Sequence, residues 1–317
     1  MKKILALVTM VMMLCALCVP ALAEEADNSL QAVLDKGELV LGLDENFPPM
    51  GFRDEDGNIV GFDIDVATAV CEKLGVTLKC QPIDWSAKEL ELSSGAIDCL
   101  WNGLTITDER REAMEMSEPY CANAQVVCVK ADSEIQTLDD LAGKVVGLQA
   151  GSSAVEALDK AEELKASLAE AAEFDDYMVA LMDLDAGNVD AVLIDEVVAN
   201  YYITTKQADY RLLDEKLADE EYGIAFRKGD VALRDAVNEA LIELYQEGSL
   251  DPILEKWFGN TETILSQVAG GAEATDGAAA EEGVEAEATD DAAAEEGAEA
   301  AATDDTAAEE NSEAAAE

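Results

Sequence analysis

The sequence predicts an α/β protein built from two similar lobes. Residues 28 to about 265 alternate apolar, strand-like runs with helix-like stretches, as α/β proteins do. Two patterns then recur. The pattern acid-Leu-x-x-Gly-x-apolar-Asp occurs in "ELSSGAIDCLW" (91–101) and "DLDAGNVDAVL" (183–193), and "VLGLD" (40–44) resembles "VVGLQ" (145–149). A spacing of roughly 100 residues is too long for a solenoid repeat and fits two lobes. Chance similarity between amphipathic patterns is the alternative.

The first set of elements runs through residues 37–101. "GELVLGL" is a buried strand, and "GFDIDVATAVCEKLG" has helical spacing and ends at Gly75. The segments that follow are a strand in "VTLKC", a short helix in "AKELELSSG" and a strand in "IDCLW".

The second set repeats this alternation. It comprises a strand in "KVVGL", helices in "SAVEALDKAEELKASL" and "MVALMDLDAG", and a strand in "VDAVLI". Two further helices are predicted in "ALRDAVNEALIELYQEG" and "DPILEKWFG". Pro252 stands near the first position of the last helix, where proline is favoured.

The N-terminal segment has the pattern of a secretory signal peptide. Two lysines follow Met1, an apolar run extends from Ile4 to Val19, and Ala21-Leu22-Ala23 provides a cleavage site. The run is short against the roughly 20 residues that span a bilayer, so a transmembrane anchor is the weaker alternative. We therefore predict a signal peptide at residues 1–23 and a protein that works outside the cytoplasm.

The charge balance is strongly acidic, with 70 acidic and 20 basic residues. Such a surface repels nucleic acid and anionic lipid, so both are excluded as partners. Part of the charge lies in residues 268–317, where "ATDGAAAEEGVEAE", "ATDDAAAEEGAEAA" and "ATDDTAAEENSEAA" repeat one acidic unit. This segment has no aromatic residue and one sign of charge, so we predict a disordered tail.

Histidine and cysteine usage restricts the chemistry. The chain has no histidine, which removes the commonest general base and a frequent metal ligand. We therefore predict no metal and no cofactor.

The cysteines beyond the signal segment lie in apolar runs and are predicted to be buried free thiols, with a Cys71–Cys80 disulfide as the alternative. They are Cys71, Cys80, Cys99, Cys121 and Cys128.

Polar and aromatic residues follow the predicted strands, where open α/β sheets bind ligands. The candidates beside the first set of strands are Asp44, Phe47, Trp85, Gly103, Thr105 and Arg110. Ser153 and Asp195 follow strands of the second set.

Most of these residues also have a structural interpretation. Asp44 could cap a turn, Ser153 and Asp195 could cap helices, and Phe47 and Trp85 could be core aromatics. Arg110 is harder to explain in this way, because it follows Thr107 in the first turn of a predicted helix. The helix dipole disfavours a cation there unless an anion is close by.

Together the candidates suit one small zwitterion. Arg110 could hold a carboxylate through two parallel hydrogen bonds, helped by Thr105 and by N–H groups near Ser153. Asp195 could bind an ammonium group, and Phe47 and Trp85 could flank an apolar stem. Arg111 is rotated by about 100° from Arg110 and is predicted to lie on the surface.

Four stretches resemble one family. They are "GLDENFPPMGFRDEDGNIVGFDIDVATAV", "WNGLTITDERR", "GLQAGSSA" and "DAVLIDEV". From about residue 36 to Gly259 the chain resembles the polar amino-acid-binding proteins of ABC importers, solute-binding protein family 3. The resemblance implies a type II periplasmic-binding-protein fold, in which two three-layer lobes are joined by two hinge strands. Lobe 1 would comprise 28–121 and 222–265, and lobe 2 would comprise 122–221.

The resemblance also implies roles for the candidates. Arg110, Thr105 and Ser153 match the α-carboxylate binders, and Asp195 matches the α-ammonium partner. The remaining matches are Phe47 and Trp85 as walls, Gly103 as a backbone contact and Asp44 as the reader of the side chain's polar tip. The implied partners are an amino acid and the membrane subunits of an ABC importer, with the protein itself a monomer.

Asp44 between aromatic faces favours a basic ligand, with a neutral polar amino acid such as glutamine second. The rival function is an exported enzyme of dehydratase or lyase type on the same scaffold. No acid–base pair is evident among the candidates, although Asp44 or Glu45 could serve as a catalytic carboxylate.

Overall fold

The structure is a computed structural model that describes residues 27–261, 263–265 and 268–269. The predicted signal peptide and nearly all of the predicted tail therefore lie outside the described residues. Val268 and Ala269, which we assigned to the tail, have helical backbone conformations. Within the described ranges, no helix combines the length and the apolar character that crossing a membrane requires.

The described part of the chain contains one large sheet and one small one. The main sheet has nine strands: β1 (Glu38–Leu43), β5 (Thr77–Pro82), β6 (Cys99–Thr105), β7 (Glu115–Met116), β8 (Cys121–Lys130), β9 (Val145–Gln149), β10 (Glu170–Phe174), β11 (Ala191–Asp195) and β12 (Tyr210–Phe226). The small sheet consists of β2 (Asn46–Phe47), β3 (Gly51–Arg53) and β4 (Ile59–Val60).

Helices cover both faces of the main sheet. They are α1 (Ser29–Lys36), α2 (Phe62–Leu74), α3 (Lys88–Ser94), α4 (Asp108–Ala113), α5 (Ser153–Lys160), α6 (Glu162–Ser167), α7 (Tyr177–Ala186), α8 (Glu196–Thr204), α9 (Val231–Gln246) and α10 (Asp251–Phe258). Two 3₁₀ segments, Trp85–Ala87 and Leu138–Leu141, complete the set.

The strand order of the main sheet is β10-β9-β11-β8-β12-β6-β1-β5, with β7 beside β12. At one end β1 pairs in parallel with β5 and β6, and we call these three strands the first half-sheet. At the other end β9 pairs in parallel with β10 and β11, the second half-sheet. The central strands β8 and β12 are antiparallel, and β12 pairs first with β8 and then with β6. The predicted two-lobed α/β fold is confirmed.

Local sequence explains most of these elements. Every residue of β6 is buried, because helices shield both faces of this part of the sheet. Helix α2 ends where we predicted, since Gly75 adopts the left-handed conformation with φ 76° and donates its N–H to the carbonyl oxygens of Cys71 and Glu72. The described cysteines are all free thiols, so the Cys71–Cys80 disulfide is not formed.

One predicted helix is divided in two. We expected a continuous helix through residues 153–168, but Ala161 leaves the helical conformation with ψ 60° and separates α5 from α6. Glu162 and Glu163 occupy the first turn of α6, where the helix dipole favours acidic side chains. These two acids therefore start a new helix rather than continue the preceding one.

Candidate functional site

The carboxyl ends of the two half-sheets meet at a small cavity of about 10 Å³. Its walls contain seven of the eight predicted site residues, and Asp44 is the exception. The lining residues are Phe47, Trp85, Gly103, Thr105, Arg110, Gln149, Ser152, Ser153 and Asp195. The space is enough for about one water molecule, so an amino acid can enter only if the walls separate.

Arg110 is buried, with 8% of its surface exposed. Its Nη1 donates to the carbonyl oxygen of Thr105 at 2.7 Å. Among the described residues, no carboxylate lies within ion-pair distance of this guanidinium. Burial accordingly lowers its pKa, although the charges of nearby acids oppose the shift, in the order Glu220, Glu156, Asp195 and Glu89. A buried guanidinium with only a carbonyl partner is prepared to receive an anion.

The dipole argument for Arg110 holds only in part. Thr107 is the N-cap as predicted, and its hydroxyl accepts the Arg110 N–H at 3.2 Å. However, α4 has only six residues, so Arg110 also belongs to its last turn. What sets Arg110 apart is its burial, whereas Arg111 is exposed, as its rotation around the helix predicts.

Asp195 lies on the opposite wall and is 3% exposed. Its Oδ1 accepts the Tyr222 hydroxyl at 2.7 Å and the side-chain amides of Asn123 at 2.6 Å and Gln125 at 3.0 Å. Burial, and then the charge of Glu220, raise its pKa to about 6. Although Asp195 occupies the N-cap position of α8, its side chain makes no capping hydrogen bond. The carboxylate is therefore oriented for a role other than capping.

Two hydroxyl groups meet across the cavity. Thr105 ends β6 of the first half-sheet, Ser153 begins α5 beside the second, and their hydroxyl oxygens are 3.0 Å apart. The Ser153 hydroxyl also accepts from the side-chain amide of Gln125 at 3.2 Å. The neighbouring Ser152 hydroxyl donates to the Gln149 carbonyl oxygen at 2.8 Å.

Aromatic rings form the remaining walls. The ring of Phe47 lies 5.9 Å from that of Tyr177, and Trp85 is 7% exposed. Gly103 has φ 59°, and a Cβ atom there would lie 2.7 Å from Phe47 Cε1, so only glycine allows this ring to approach. The Gly103 N–H donates to the buried Asp63 carboxylate at 2.8 Å.

Asp44 lies behind the cavity wall rather than on it. Its Oδ2 accepts the Gln149 side-chain amide at 2.7 Å, and its Oδ1 accepts the Asn46 N–H at 2.8 Å. The interpretation that Asp44 caps a turn is therefore partly correct, because Oδ1 accepts a backbone N–H two residues along the chain. The other oxygen, Oδ2, is covered by the Gln149 side chain. Burial raises the pKa of Asp44 to about 6, and the nearby charges of Asp176 and Glu45 also act upward.

Sequence reasoning missed Gln149, although a signal was present. Gln149 ends "VVGLQ" at the position that Asp44 holds in "VLGLD". The side chains at these two equivalent strand ends hydrogen-bond to each other in the wall of the cavity.

The central strands supply the other missed residues. Asn123 and Gln125 are two positions apart on β8, and so are Glu220 and Tyr222 on β12. Because side chains point to opposite faces at successive positions of a strand, the two members of each pair lie on the same face. This spacing of two was the available signal, and on β12 the neighbouring acids Asp219 and Glu221 conceal it.

Lys88 was also missed. It is 4% exposed, and its Nζ donates to the Gly151 carbonyl oxygen at 2.8 Å, beside the cavity. Burial, and then the charge of Arg110, lower its pKa to about 8.

A larger cavity of about 690 Å³ adjoins the first. Thr105 and Ser153 line both, but Arg110 and Asp195 line only the small one. The two strongest binding groups therefore mark the small cavity as the candidate site. Among the described residues, no cluster of acidic or cysteine side chains could hold a metal ion.

Comparison with known proteins supplies the family context. The family profile of bacterial extracellular solute-binding proteins, family 3, matches residues 39–260. The L-cystine-binding protein TcyJ of Escherichia coli K12 is 33% identical over 74% of this chain and 87% of its own length. The arginine-binding extracellular protein ArtP of Bacillus subtilis is 32% identical over 70% of this chain and 87% of its own length.

A solved structure gives the same picture. A substrate-binding protein of an ABC uptake transporter from Streptococcus pneumoniae, with bound histidine, is 42% identical. It superposes with a TM-score of 0.72 over 74% of this chain and 98% of that chain.

Proposed function

The chain belongs to the bacterial extracellular solute-binding proteins of family 3, and we propose that it captures a basic amino acid between its two lobes and delivers it to an ABC importer. The observation that carries the proposal is a pair of unmatched charges. Arg110 and Asp195 are both buried on one small cavity, and neither has an oppositely charged side chain within ion-pair distance among the described residues. A bound α-amino acid would supply a carboxylate to one and an ammonium to the other.

Binding by this route requires a hinge. We propose that lobe 1 comprises 28–121 and 222–265, that lobe 2 comprises 122–221, and that the chain bends where β8 and β12 pass between them. Contacts across the cavity support this division. Besides the hydroxyl pair of Thr105 and Ser153, the side-chain amide of Asn46 donates to Asp176 at 3.2 Å. The hydrogen bonds of Asp44 with Gln149 and of Lys88 with Gly151 also join the two proposed lobes. The ligand's own contacts would have to outweigh these bonds, or replace them, for the two states to interconvert.

Ligand binding should therefore make the protein more compact. Small-angle X-ray scattering with and without saturating amino acid should give a smaller radius of gyration for the bound protein. A radius that stays constant while calorimetry shows binding would contradict the hinge.

The charges near the cavity favour a basic side chain. Asp44 is accompanied by Asp176 and Glu45, both of which raise its pKa. Gln149 covers Asp44, and a ligand cation could take the place of the Gln149 amide as the donor to Asp44. A guanidinium or ammonium would meet concentrated negative charge there, whereas a carboxylate would be repelled.

Isothermal titration with L-arginine, L-glutamine and L-glutamate tests this order. We expect arginine to bind most tightly, glutamine next and glutamate most weakly. Replacing Asp44 with asparagine should weaken arginine binding by on the order of tenfold and glutamine binding much less, because the mutation removes a charge–charge interaction and keeps the shape. Asp56→Asn removes the same charge from an exposed position and should leave all three affinities unchanged.

Tightest binding of glutamate would refute the basic-ligand proposal while leaving amino-acid binding intact. Mass spectrometry of the recovered ligand separates binding from catalysis. An unmodified amino acid supports transport, and a changed one would indicate the rival enzyme.

A further inference from the structure

Glu220 is a carboxylate that the predicted ligand contacts do not include. It lies on β12 directly opposite Asn123 on β8, and it is half-buried. Its Oε2 accepts the Thr105 hydroxyl at 3.0 Å and the side-chain amides of Asn123 at 2.9 Å and Gln125 at 3.1 Å. Glu220 lines the larger cavity, and it is held there by Thr105, which lines both cavities.

The same two amides hold Asp195. Asn123 Nδ2 and Gln125 Nε2 each donate to Asp195 Oδ1 as well as to Glu220 Oε2. Two carboxylates that share the same donors lie close together and repel each other when both are ionised. An ammonium group bound at Asp195 would therefore lie near two carboxylates, those of Asp195 and Glu220, rather than near Asp195 alone.

The hydroxyl hydrogens connect Glu220 to the other end of the site. Thr105 has one hydroxyl hydrogen, and an ionised carboxylate only accepts, so Thr105 donates to Glu220. In the contact between Thr105 and Ser153, Ser153 must then be the donor. Both hydroxyls that we assigned to the ligand's carboxylate therefore form one chain that ends at Glu220. Ser153 donates to Thr105, and Thr105 donates to Glu220.

We propose that Glu220 is a specificity-determining residue of the ligand site, which favours the ligand's ammonium group and competes with its carboxylate for Thr105 and Ser153. The proposal rests on the assignment of Arg110 and Asp195 to a bound amino acid. It extends the proposed ligand class, because a negative charge between the two ends should make the site tolerant of cationic amines that lack the carboxylate.

A ligand-free measurement tests the pairing of Glu220 with Asp195. The ionisable groups that face Asp195 are Glu220 and Tyr222 on β12, Tyr177 on α7 and Arg110 on α4. Because Asp195 has a raised pKa in the folded protein, its ionisation costs stability as pH rises from about 4 towards and through 6. Glu220→Gln keeps the acceptor oxygen but removes the charge, so it should lower the pKa of Asp195 and relieve this cost.

Both proteins compared carry Arg110→Ala, because the charge of Glu220 also stabilises the Arg110 cation. In that background the thermal unfolding midpoint should be higher with Glu220→Gln than with Glu220 at pH 8, by about 2–4 °C. The two midpoints should converge at pH 4.5, where Asp195 is protonated. Glu221→Gln makes the same change at an exposed neighbour and controls for the net charge. If both variants follow the Arg110→Ala protein with the same offset at every pH, Glu220 does not act on Asp195 and the proposal fails.

A ligand pair tests the selectivity. Agmatine is L-arginine without its carboxylate. The ratio of the Kd of agmatine to the Kd of L-arginine therefore measures how much the carboxylate contributes to the affinity. Glu220→Gln should raise this ratio roughly tenfold, because agmatine loses an attraction while arginine also loses a competitor. Glu221→Gln should leave it unchanged. An equal ratio in all three proteins would overturn the proposal.

The two measurements separate the possible failures. If neither L-arginine nor any other amino acid binds the wild type, the proposed function is wrong, and the unfolding experiment still decides whether Glu220 and Asp195 form a pair. If amino acids bind but neither readout distinguishes Glu220→Gln from Glu221→Gln, the function stands and this inference is wrong.

Discussion

Replacing Arg110 with alanine is expected to abolish measurable amino-acid binding while the protein still folds. The variant loses charge-assisted hydrogen bonds to the ligand's carboxylate in a buried site, which is worth about 2–4 kcal/mol, or roughly 30- to 700-fold in Kd. The fold should tolerate the change, because Arg110 is a buried cation whose guanidinium, among the described residues, hydrogen-bonds only to the Thr105 carbonyl oxygen. Isothermal titration measures the affinity, and thermal unfolding without ligand measures the stability.

The neighbouring arginine provides the matched control. Arg111 carries the same charge on the same short helix but is exposed, so Arg111→Ala should bind like the wild type. Equal losses in both variants would mean that the overall charge of α4, rather than a specific contact, supports binding.

Replacing Asp195 with asparagine is expected to weaken binding by about two orders of magnitude. Asparagine keeps the shape and an acceptor for Tyr222, Asn123 and Gln125, but it removes the charge that would meet the ligand's ammonium.

The role of the Asp195 charge also predicts that ligand affinity depends on pH. Since the pKa of Asp195 is about 6 in the ligand-free protein and the ligand's ammonium favours the ionised carboxylate, wild-type affinity should fall as pH drops below this value.

Titration of both proteins between pH 5 and 8 checks this prediction. Asp209→Asn, an exposed position in the same proposed lobe, controls for loss of one negative charge. If Asp195→Asn keeps wild-type affinity at pH 7.5, the ammonium of the ligand binds elsewhere and Asp195 serves the fold.

Much of the fold could be predicted because its signals are local. Alternation of apolar runs identified the parallel strands, and glycines such as Gly75 identified helix ends. The clustering of candidates also followed from topology, since the carboxyl ends of parallel strands lie along one edge of a sheet. Phe47, Trp85 and Thr105 are far apart in sequence, yet all three line the cavity.

The division of the predicted helix at Ala161 was not visible in this way. The apolar spacing continues across residue 161, while the break depends on the conformation of one residue and on two following acids. Helical periodicity reports which face is buried, and it is insensitive to a change of axis between two short helices.

The sequence by itself determined the inventory: an α/β fold, no histidine for acid–base or metal chemistry, and a small set of charges at strand ends. Only the tertiary structure decided which of these charges have partners. Asp44 is paired with Gln149, while Arg110 lies with no carboxylate within ion-pair distance in the described part of the chain. It also decided that Glu220 joins Asp195, because the register of β12 against β8 sets Glu220 opposite Asn123. The reason is physical: burial and hydrogen-bond distance depend on the pairing of segments about 100 residues apart, which no local pattern encodes.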